Sequence, residues 1–514
     1  MTIRVDTTPI LPLPEIDATM LANARALPPL DPAFRDAFVA APGPAQDNLD
    51  RLFDRSALCV TTGQQPGLFT GPLFTIYKAL SAIALAQKFS QELARQVVPV
   101  FWVAGDDHDL PESNHIHVTD MANAVRRLAL HEREDTESLT PLYKEPLGGL
   151  LHGPRQAIVD VTPDTEFKAD VLNLLDRHYR HDADYATAFG DTLSALLGRL
   201  GLVVLRPTSR AAKEAMRPVL RRTLEEAESI DHALVAQGEA LAAAGKPVPV
   251  HVGDGAAPLM IEGSLGRDRL VLEQGHFVAR RSGERWSLAE LSALLESDPE
   301  RFSPNVLLRP IVEASILPTL AYVAGPGELA YFPQCKPLYE FFDVSPQLPI
   351  PRWSGRIVEA KIATVLAKFD LVAEDLASPE GQLEAKLASG DMPAEAVTAF
   401  AKLRAELQAQ YQAIESAAVS IDPTMRKAVQ AARNTSLGAA KDLEKRLVAH
   451  LKSHNETLTN QIEKARNNLF PMGKPQERVL NIMPYLIRYG PSLIDEFFDA
   501  CRRWYDGEAH SNGA

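Results

Sequence analysis

The stretch that decides the fold is residues 57–109. It opens with ALCVTTGQQPGLFTGP (57–72), continues with LFTIYKALSAIALAQKF (73–89) and reaches VVPVFWVAGDDHD (97–109). Residues 57–62 are an apolar run of strand formers followed directly by turn residues. Apolar residues then recur at helical spacing from Pro72 to Phe89, and residues 97–104 resemble a second buried strand. Strand, glycine-bearing turn, helix and strand predict a βαβ unit, and hence an α/β fold with a parallel sheet.

Length, charge and cysteine content narrow the class of protein. The chain has 514 residues, which predicts roughly three to four structural units. It carries 53 basic and 67 acidic side chains, a net charge of −14, and no basic stripe, so we expect no nucleic-acid partner. Its three cysteines are far apart and form neither a zinc motif nor a disulfide framework. No signal-like start and no membrane-length apolar run stand out, so we expect a cytoplasmic protein with no membrane partner.

Outside the βαβ unit, the sequence pattern changes several times. Residues 116–190 are mixed and charged, whereas short β-like pieces separated by Gly and Asp fill residues 245–300. We predict the following division: 1–115, N-terminal segment and first half of the core; 116–190, connective insertion; 191–215, core continuation; 216–304, second insertion, partly β; 305–356, core completion; 357–470, α-helical coiled coil; 471–514, C-terminal helical tail.

The coiled-coil prediction depends on a seven-residue repeat. Phe400, Leu407, Ile414 and Ile421 recur every seven residues, and Leu451, Leu458 and Ala465 repeat the period after Asp422-Pro423. Two such helices joined by a proline break predict an antiparallel hairpin. The hairpin either packs only on its own chain or joins two chains.

The first candidate site is the turn of residues 63–72, at the end of the first strand. Open α/β sheets bind ligands outside the carboxyl ends of their strands, and a helix N-terminus offers N–H donors to phosphate. The turn matches neither GxxxxGK[ST] nor GxGxxG. The alternative is a tight turn that needs glycine. The cofactor-binding candidates here are Gly63, Gln64, Gln65, Gly67, Gly71 and, two helical turns on, Lys78.

The second candidate is Gly105-Asp106-Asp107-His108-Asp109, at the end of the second strand. Three carboxylates so close together repel one another unless a metal, a substrate ammonium or Arg309 compensates. The alternatives are a helix N-cap for one Asp and solvent exposure for the others.

The third candidate combines Arg309-Pro310 with the turn Gly325-Pro326-Gly327. A buried arginine at a strand end is typical of carboxylate or phosphate binding, and Gly325 and Gly327 can present backbone amides to a cofactor. The alternative for Arg309 is a structural ion pair to one of the Asp residues of the second candidate.

Residues 62–86 and 98–115, together with NVLLRPIVEASILPTLAYVAGPGELAYFPQ (305–334) and ERVLNIMPYLIRYG (477–490), resemble the BshC family of bacillithiol biosynthesis, cysteine-adding enzymes. The resemblance covers essentially the whole chain. It implies a Rossmann-like core, similar to class I aminoacyl-tRNA synthetases, with inserted connective domains and a C-terminal antiparallel coiled coil that supports a homodimer. It also implies a ligase that adds cysteine to the amine of glucosaminyl-malate.

The same resemblance implies ATP, with Mg²⁺, as cofactor and cysteinyl-adenylate formation as the activating step. The turn of residues 63–71 stands where class I synthetases carry their HIGH signature, but it contains no histidine, and no KMSKS-like loop is found. We therefore assign Asp107 and His108 as catalytic candidates, with His108 as the charge stabiliser. Asp106, Asp109, Asn114 and Arg309 are the substrate-binding candidates, and no residue is assigned to a resident metal.

Two other functions remain open from the residues alone. One is a metal-dependent hydrolase that uses Asp106, His108 and His115, because Asp and His side chains suit divalent metals. The other is a coiled-coil scaffold whose α/β part binds a nucleotide without turnover.

Overall fold

A six-stranded sheet, the central sheet, organises the protein. The structure is a computed structural model that describes residues 3–8, 11–14, 30–54, 57–130, 138–390, 392–454 and 456–508. Five strands of the central sheet are parallel, and the sixth is a short antiparallel edge strand. In spatial order they are Leu348–Pro351, Thr319–Ala324, Leu58–Gln64, Val97–Val103, Val203–Leu205 and Phe38–Val39.

The two strands predicted from residues 57–109 lie side by side in the middle of this sheet. Leu58–Gln64 and Val97–Val103 pair in parallel over seven positions, and Leu73–Glu92 is the helix between them. All seven residues of Val97–Val103 are buried, as expected for a strand covered on both faces. The predicted α/β fold with a parallel sheet is confirmed.

Two apolar cores cover the two faces of the central sheet, because successive strand residues point to opposite sides. Val60 and Phe101 belong to the core that includes the helix Leu73–Glu92, whereas Cys59 and Val100 belong to the core that includes the helix Arg210–Glu225. The sheet therefore lies between two helical layers, and its strand ends are the exposed edges where loops can form a site.

Two insertions interrupt the central sheet. After Val97–Val103 comes the antiparallel pair His115–Thr119 and Val125–Ala129, followed by helices. After Val203–Leu205 come two helices and a five-stranded antiparallel sheet formed by residues 256–304. The helix Arg210–Glu225 crosses the division that we predicted between residues 215 and 216.

Two long helices near the C-terminus form a hairpin. Ala394–Ile421 and Met425–His454 pair antiparallel, with Tyr411 Oη 2.8 Å from Ser436 Oγ. The later part of the predicted repeat packs elsewhere: Leu458 and Ala465 of the helix Glu456–Leu469 are buried against residues 358–387. The reason is that this helix faces the apolar side of the helix Ala360–Lys368 rather than the hairpin.

The other strands and helices of the described residues have the following bounds. The other strands are Ile3–Thr7, Ala256–Gly263, Gly266–Glu273, His276–Ala279, Arg285–Trp286, Phe302–Pro304 and Gly355–Glu359. The other α-helices are Pro44–Phe53, Leu110–Ser113, His152–Val161, Lys168–His178, Tyr185–Leu197, Ala227–Ala243, Leu288–Ser297, Arg309–Ile316, Pro326–Tyr331, Lys336–Phe341, Gln382–Gly390, Met483–Tyr489 and Ser492–Tyr505. Within the described ranges, no helix has the length and apolar character needed to cross a membrane.

Candidate functional site

The two predicted turns meet at the carboxyl edge of the central sheet. The first turn (residues 63–72) follows Leu58–Gln64, and the second turn (residues 105–109) follows Val97–Val103. Gln65 Nε2 donates a hydrogen bond to the Asp109 carbonyl oxygen at 2.9 Å. The sheet therefore brings together two sequence-predicted candidates, with Gln65 as the contact between them.

Glycine is needed in the first turn for two different structural reasons. A Cβ atom at Gly63 would lie 3.0 Å from the Trp102 carbonyl oxygen, because the two central strands approach closely there. Gly71 has φ 67°, a conformation that favours glycine, and a Cβ at Gly67 would lie 3.1 Å from the Gly71 Cα. These are the requirements of a tight turn, and cofactor binding at Gly63, Gln64, Gln65, Gly67 and Gly71 stays a prediction.

Several backbone groups of the first turn are already bound within the protein. The Thr70 N–H donates to Tyr179 Oη at 2.9 Å, and the Leu73 N–H donates to the Leu480 carbonyl oxygen at 2.9 Å. These two amides are therefore unavailable to a ligand in this conformation.

Lys78 is buried beneath the first turn, where it forms an ion pair with the partly exposed Glu328. Its Nζ is 2.6 Å from Glu328 Oε2 and also donates to the Gly63 carbonyl oxygen at 2.8 Å. Burial lowers the pKa of Lys78, and the Glu328 carboxylate opposes that shift. Burial also acts to raise the pKa of Glu328, but Lys78 and the hydrogen bonds to Glu328 outweigh it, so that pKa is lowered overall. Lys78 thus binds the first turn directly at Gly63 and connects it to Glu328.

The same glutamate links the first turn to the third candidate. Glu328 Oε2 accepts a hydrogen bond from the Gly325 N–H at 2.7 Å, and Glu328 Oε1 accepts one from Tyr322 Oη at 2.5 Å. Gly325 and Gly327 lie at the start of the helix Pro326–Tyr331, directly after the strand Thr319–Ala324. The Gly325 amide is thus engaged, whereas a Cβ at Gly327 would meet nothing within 4 Å.

The negative charge of Asp106 in the second turn is compensated by a residue that we did not predict, Lys213. Lys213 Nζ lies 2.7 Å from Asp106 Oδ1 and donates to the Phe302 carbonyl oxygen at 2.7 Å, with its side chain fully buried. The expected compensation by Arg309 is wrong for Asp106. A single lysine in an amphipathic helix gives no sequence signal for such a role, because it is indistinguishable from a surface lysine.

Asp107, His108 and Asp109 have different surroundings. The Asp107 carboxylate accepts from the His108 N–H at 2.7 Å, and Arg267 NH1 lies 3.9 Å from it. His108 Nδ1 is 3.8 Å from the same carboxylate. Asp109 caps the short helix Leu110–Ser113 by accepting from the Glu112 N–H at 3.2 Å, as the N-cap alternative predicted.

Glu112 gives this turn an acidic character. Burial raises the pKa of Glu112, and the nearby charges of Asp109 and Asp107 raise it further, against an opposing effect of Arg478. A cation bound here would relieve that repulsion.

Three further polar side chains lie close to the second turn. His115 and His117 belong to the strand His115–Thr119 that follows the turn, and Asn114 directly precedes this strand. Asn114 is fully buried, with its Oδ1 3.1 Å from His115 Nδ1. Burial lowers the pKa of His117 to about 4, with help from the His115 ring and the charges of Arg127 and Lys474. Across the described ranges, no group of three His, Cys, Asp or Glu side chains is arranged to hold a metal ion, so Asp106, His108 and His115 do not form one.

Arg309 begins the helix Arg309–Ile316, so its expected place at a strand end is wrong. Its NH1 lies 2.7 Å from Glu313 Oε2, and its guanidinium stacks 4.5 Å from the centre of the Tyr322 ring. Burial raises the pKa of Glu313, although Arg309 and a hydrogen bond from Thr61 oppose that shift. The ion-pair alternative for Arg309 is therefore observed, but with Glu313 rather than an Asp of the second turn.

Comparison with known proteins places the chain in a family. Residues 35–353 match the family model described as "Bacillithiol biosynthesis BshC, N-terminal Rossmann-like domain", and residues 356–503 match "Bacillithiol biosynthesis BshC, C-terminal coiled-coil domain".

Full-length relatives show the same similarity. The chain is 34% identical over 495 residues to a protein of Chlorobaculum tepidum named "Putative cysteine ligase BshC", an alignment that covers 90% of this chain and 84% of the relative. It is 32% identical over 468 residues to a Salinibacter ruber protein with the same name, again covering 90% and 84%. The match to one Rossmann-like and one coiled-coil model, in the order seen in the fold, shows that the chain belongs to the BshC family.

Proposed function

We propose that this chain is an ATP-dependent ligase that joins the carboxylate of cysteine to the amine of glucosaminyl-malate in bacillithiol synthesis. The name that the relatives share, "Putative cysteine ligase BshC", supports both a ligase activity and cysteine as a substrate. The single observation that carries the proposal is the position of the second turn. Asp107 and His108 stand beside the first turn at the carboxyl edge of the sheet, the usual ligand position in this type of fold.

The acidic character of the second turn supports an ammonium substrate. Asp106 is neutralised by Lys213, whereas Glu112 has its pKa raised by burial and by the charges of Asp109 and Asp107. An ammonium group beside these carboxylates would gain charge-assisted hydrogen bonds. Both cysteine and glucosaminyl-malate carry an amine. We therefore assign the substrate amine to this side of the crevice.

Asp107 and His108 have complementary roles in the proposed reaction. Amide formation joins the amine nitrogen to the carboxyl carbon and breaks the bond from that carbon to the oxygen activated by ATP. The bound ammonium loses one proton to water before the nitrogen attacks, and the nitrogen loses a second proton as the amide forms. Asp107 is partly exposed and can take that proton, while its contact with the His108 N–H fixes the turn. The His108 ring, 3.8 Å from the Asp107 carboxylate, can stabilise the charge that develops on oxygen.

The nucleotide is assigned to the glycine turns. ATP would supply the activation that a free carboxylate lacks before an amine can displace its oxygen. Gln64, Gln65 and the open backbone at Gly327 are the groups that would hold it, since the Thr70, Leu73 and Gly325 amides are engaged. Mg²⁺ held mainly by phosphate oxygens needs few protein ligands.

We also propose a homodimer through the coiled coil. Apolar side chains remain exposed on the hairpin, with Val397 47%, Ile414 50% and Leu443 56% exposed. The helix Ala394–Ile421 has no fully buried residue. A second hairpin would cover this apolar surface at little cost in polar desolvation.

The decisive experiment incubates the full-length protein with cysteine, glucosaminyl-malate and ATP and follows the amide product by mass spectrometry. Asp107→Asn and His108→Gln run beside the wild type, with Asp254→Asn as a control because Asp254 is an 82% exposed aspartate outside the crevice. We expect product from the wild type and the control, and a loss of about 10²-fold or more in the two variants.

Three outcomes would count against the proposal. Folded wild type that forms no product with any nucleotide would overturn the ligase function. Nucleotide binding without cysteine-dependent turnover would favour the scaffold. Full activity of both variants would remove Asp107 and His108 from the catalytic assignment.

A further inference from the structure

Asn481, near the C-terminus, is fully buried against the first turn. Its Nδ2 donates to the carbonyl oxygens of Phe69 at 2.7 Å and Gly71 at 2.6 Å, and its Oδ1 accepts from the Met483 N–H at 2.9 Å. Its own backbone N–H donates to the His117 carbonyl oxygen at 2.9 Å. One asparagine therefore ties the first turn to the strand that follows the second turn.

Tyr179 binds the same turn through other atoms. Its hydroxyl donates to the Gly67 carbonyl oxygen at 3.2 Å and accepts from the Thr70 N–H at 2.9 Å. Its ring packs edge-to-face on Phe69, with the ring centres 4.9 Å apart. Two side chains from distant parts of the sequence thus bind four polar backbone groups of one short turn.

The backbone of the turn explains why such support is needed. Phe69 and Thr70 have φ 46° and 73°, and neither is glycine. A positive φ is uncommon for a bulky residue and is a true outlier for a β-branched one such as threonine. Residues in such conformations persist only where the surroundings hold them, and they concentrate at functional sites.

We propose that Asn481 and Tyr179 are positioning residues that hold the first turn in the conformation that receives the nucleotide. The inference builds on the proposed function, which assigns the nucleotide to this turn. Neither side chain needs to touch the nucleotide. Each acts by fixing the carbonyl groups of the turn, so that Gln64 and Gln65 keep one arrangement beside the second turn.

Two substitutions test the inference. Asn481→Asp keeps the shape but replaces the amide donor by an oxygen that faces two carbonyl groups, and Tyr179→Phe removes only the hydroxyl. The matched controls are Gln334→Glu, which loses a buried amide bound to the Val250 backbone, and Tyr505→Phe, which loses a buried hydroxyl bound to the Pro351 carbonyl oxygen. If Asn481→Asp does not fold, Tyr179→Phe carries the test alone.

Two readouts separate positioning from general stability. Hydrogen–deuterium exchange of peptides covering residues 66–75 reports the turn without any substrate, and steady-state kinetics report KM for ATP and kcat. We expect exchange in these peptides at least fivefold faster in Asn481→Asp and Tyr179→Phe, with KM for ATP raised at least fivefold and kcat changed less. The controls should leave both quantities within twofold of the wild type.

The possible results lead to different conclusions. Unchanged exchange in residues 66–75 would overturn the positioning role whatever the activity. Faster exchange with an unchanged KM for ATP would overturn the link to the nucleotide. A wild type that binds no ATP and forms no product would overturn the proposed function, while the exchange data would still decide whether Asn481 and Tyr179 hold the turn.

Discussion

The buried Lys78 and the partly exposed Glu328 form an ion pair, with Nζ 2.6 Å from Oε2, that joins the turn after one central strand to the turn after its neighbour. Glu328 also accepts hydrogen bonds from the nearby Gly325 N–H and Tyr322 hydroxyl, so one carboxylate joins the distant Lys78 to two donors of its own segment. The first turn and the turn at Gly325–Gly327, both of which we predict to bind the nucleotide, are therefore connected through the Glu328 carboxylate.

Because Lys78 and Glu328 form an ion pair, we predict that substitutions of the two residues have non-additive effects on thermal stability. Lys78→Met leaves the Glu328 carboxylate without its ammonium, and removing one partner of a buried pair typically costs about 3–5 kcal/mol. We expect Lys78→Met and Glu328→Gln each to lower Tm by several degrees, and the double variant to lower it by clearly less than their sum. Thermal unfolding followed by circular dichroism measures this. Additive shifts would show that the two groups do not stabilise each other.

The cysteines of the folded protein should be unreactive. Cys59, Cys335 and Cys501 are buried and unpaired by disulfides, and burial raises the pKa of each thiol, that of Cys335 to about 12. Since the thiolate is the reactive form, we expect no labelling by a thiol reagent at pH 8 within minutes, and labelling of all three thiols in guanidinium chloride. Rapid labelling of the native protein would contradict the buried positions.

His117 should make stability fall in mild acid. Burial lowers its pKa to about 4 in the folded protein, whereas a histidine in the unfolded chain titrates near about 6.5. As the pH falls below about 6.5, the unfolded chain takes up the proton first, so the stabilising contribution is present above that pH and is lost towards pH 4.

The comparison of wild type with His117→Gln isolates this contribution. We expect the difference in Tm between pH 7 and pH 5 to be smaller in His117→Gln than in the wild type. The exposed His251 provides the control, His251→Gln, which should follow the wild type. Identical pH profiles for all three proteins would refute the prediction.

The coiled coil should lose its self-association when its exposed apolar face is charged. Ile414→Glu with Leu443→Glu places two carboxylates on that face, and we expect a shift from dimer to monomer in sedimentation velocity. Gln412→Glu with Lys441→Glu adds acidic side chains at exposed polar positions of the same two helices and should leave the dimer intact. A wild type that sediments as a monomer, or a double variant that still dimerises, would overturn the proposed interface.

Local patterns in the sequence determined most of the fold. The apolar runs at residues 57–62 and 97–104, the helical spacing between them and the glycine turns were enough to predict two parallel strands and the edge where their turns meet. The seven-residue repeat likewise predicted a hairpin whose first helix is Ala394–Ile421, but Leu458 and Ala465 of the later repeat lie in the helix Glu456–Leu469 and not in the second arm, Met425–His454. These predictions succeed because periodicity and turn chemistry act over a few residues.

Only the tertiary structure decided which charges meet. Lys78 pairs with Glu328 and Asp106 with Lys213, and Asn481 reaches the first turn from the far end of the chain. A lone lysine or asparagine has the same local signal at the surface as in the core, and its partner depends on how distant elements pack. The sequence therefore located the crevice, while long-range packing determined which of its side chains remain open to a substrate.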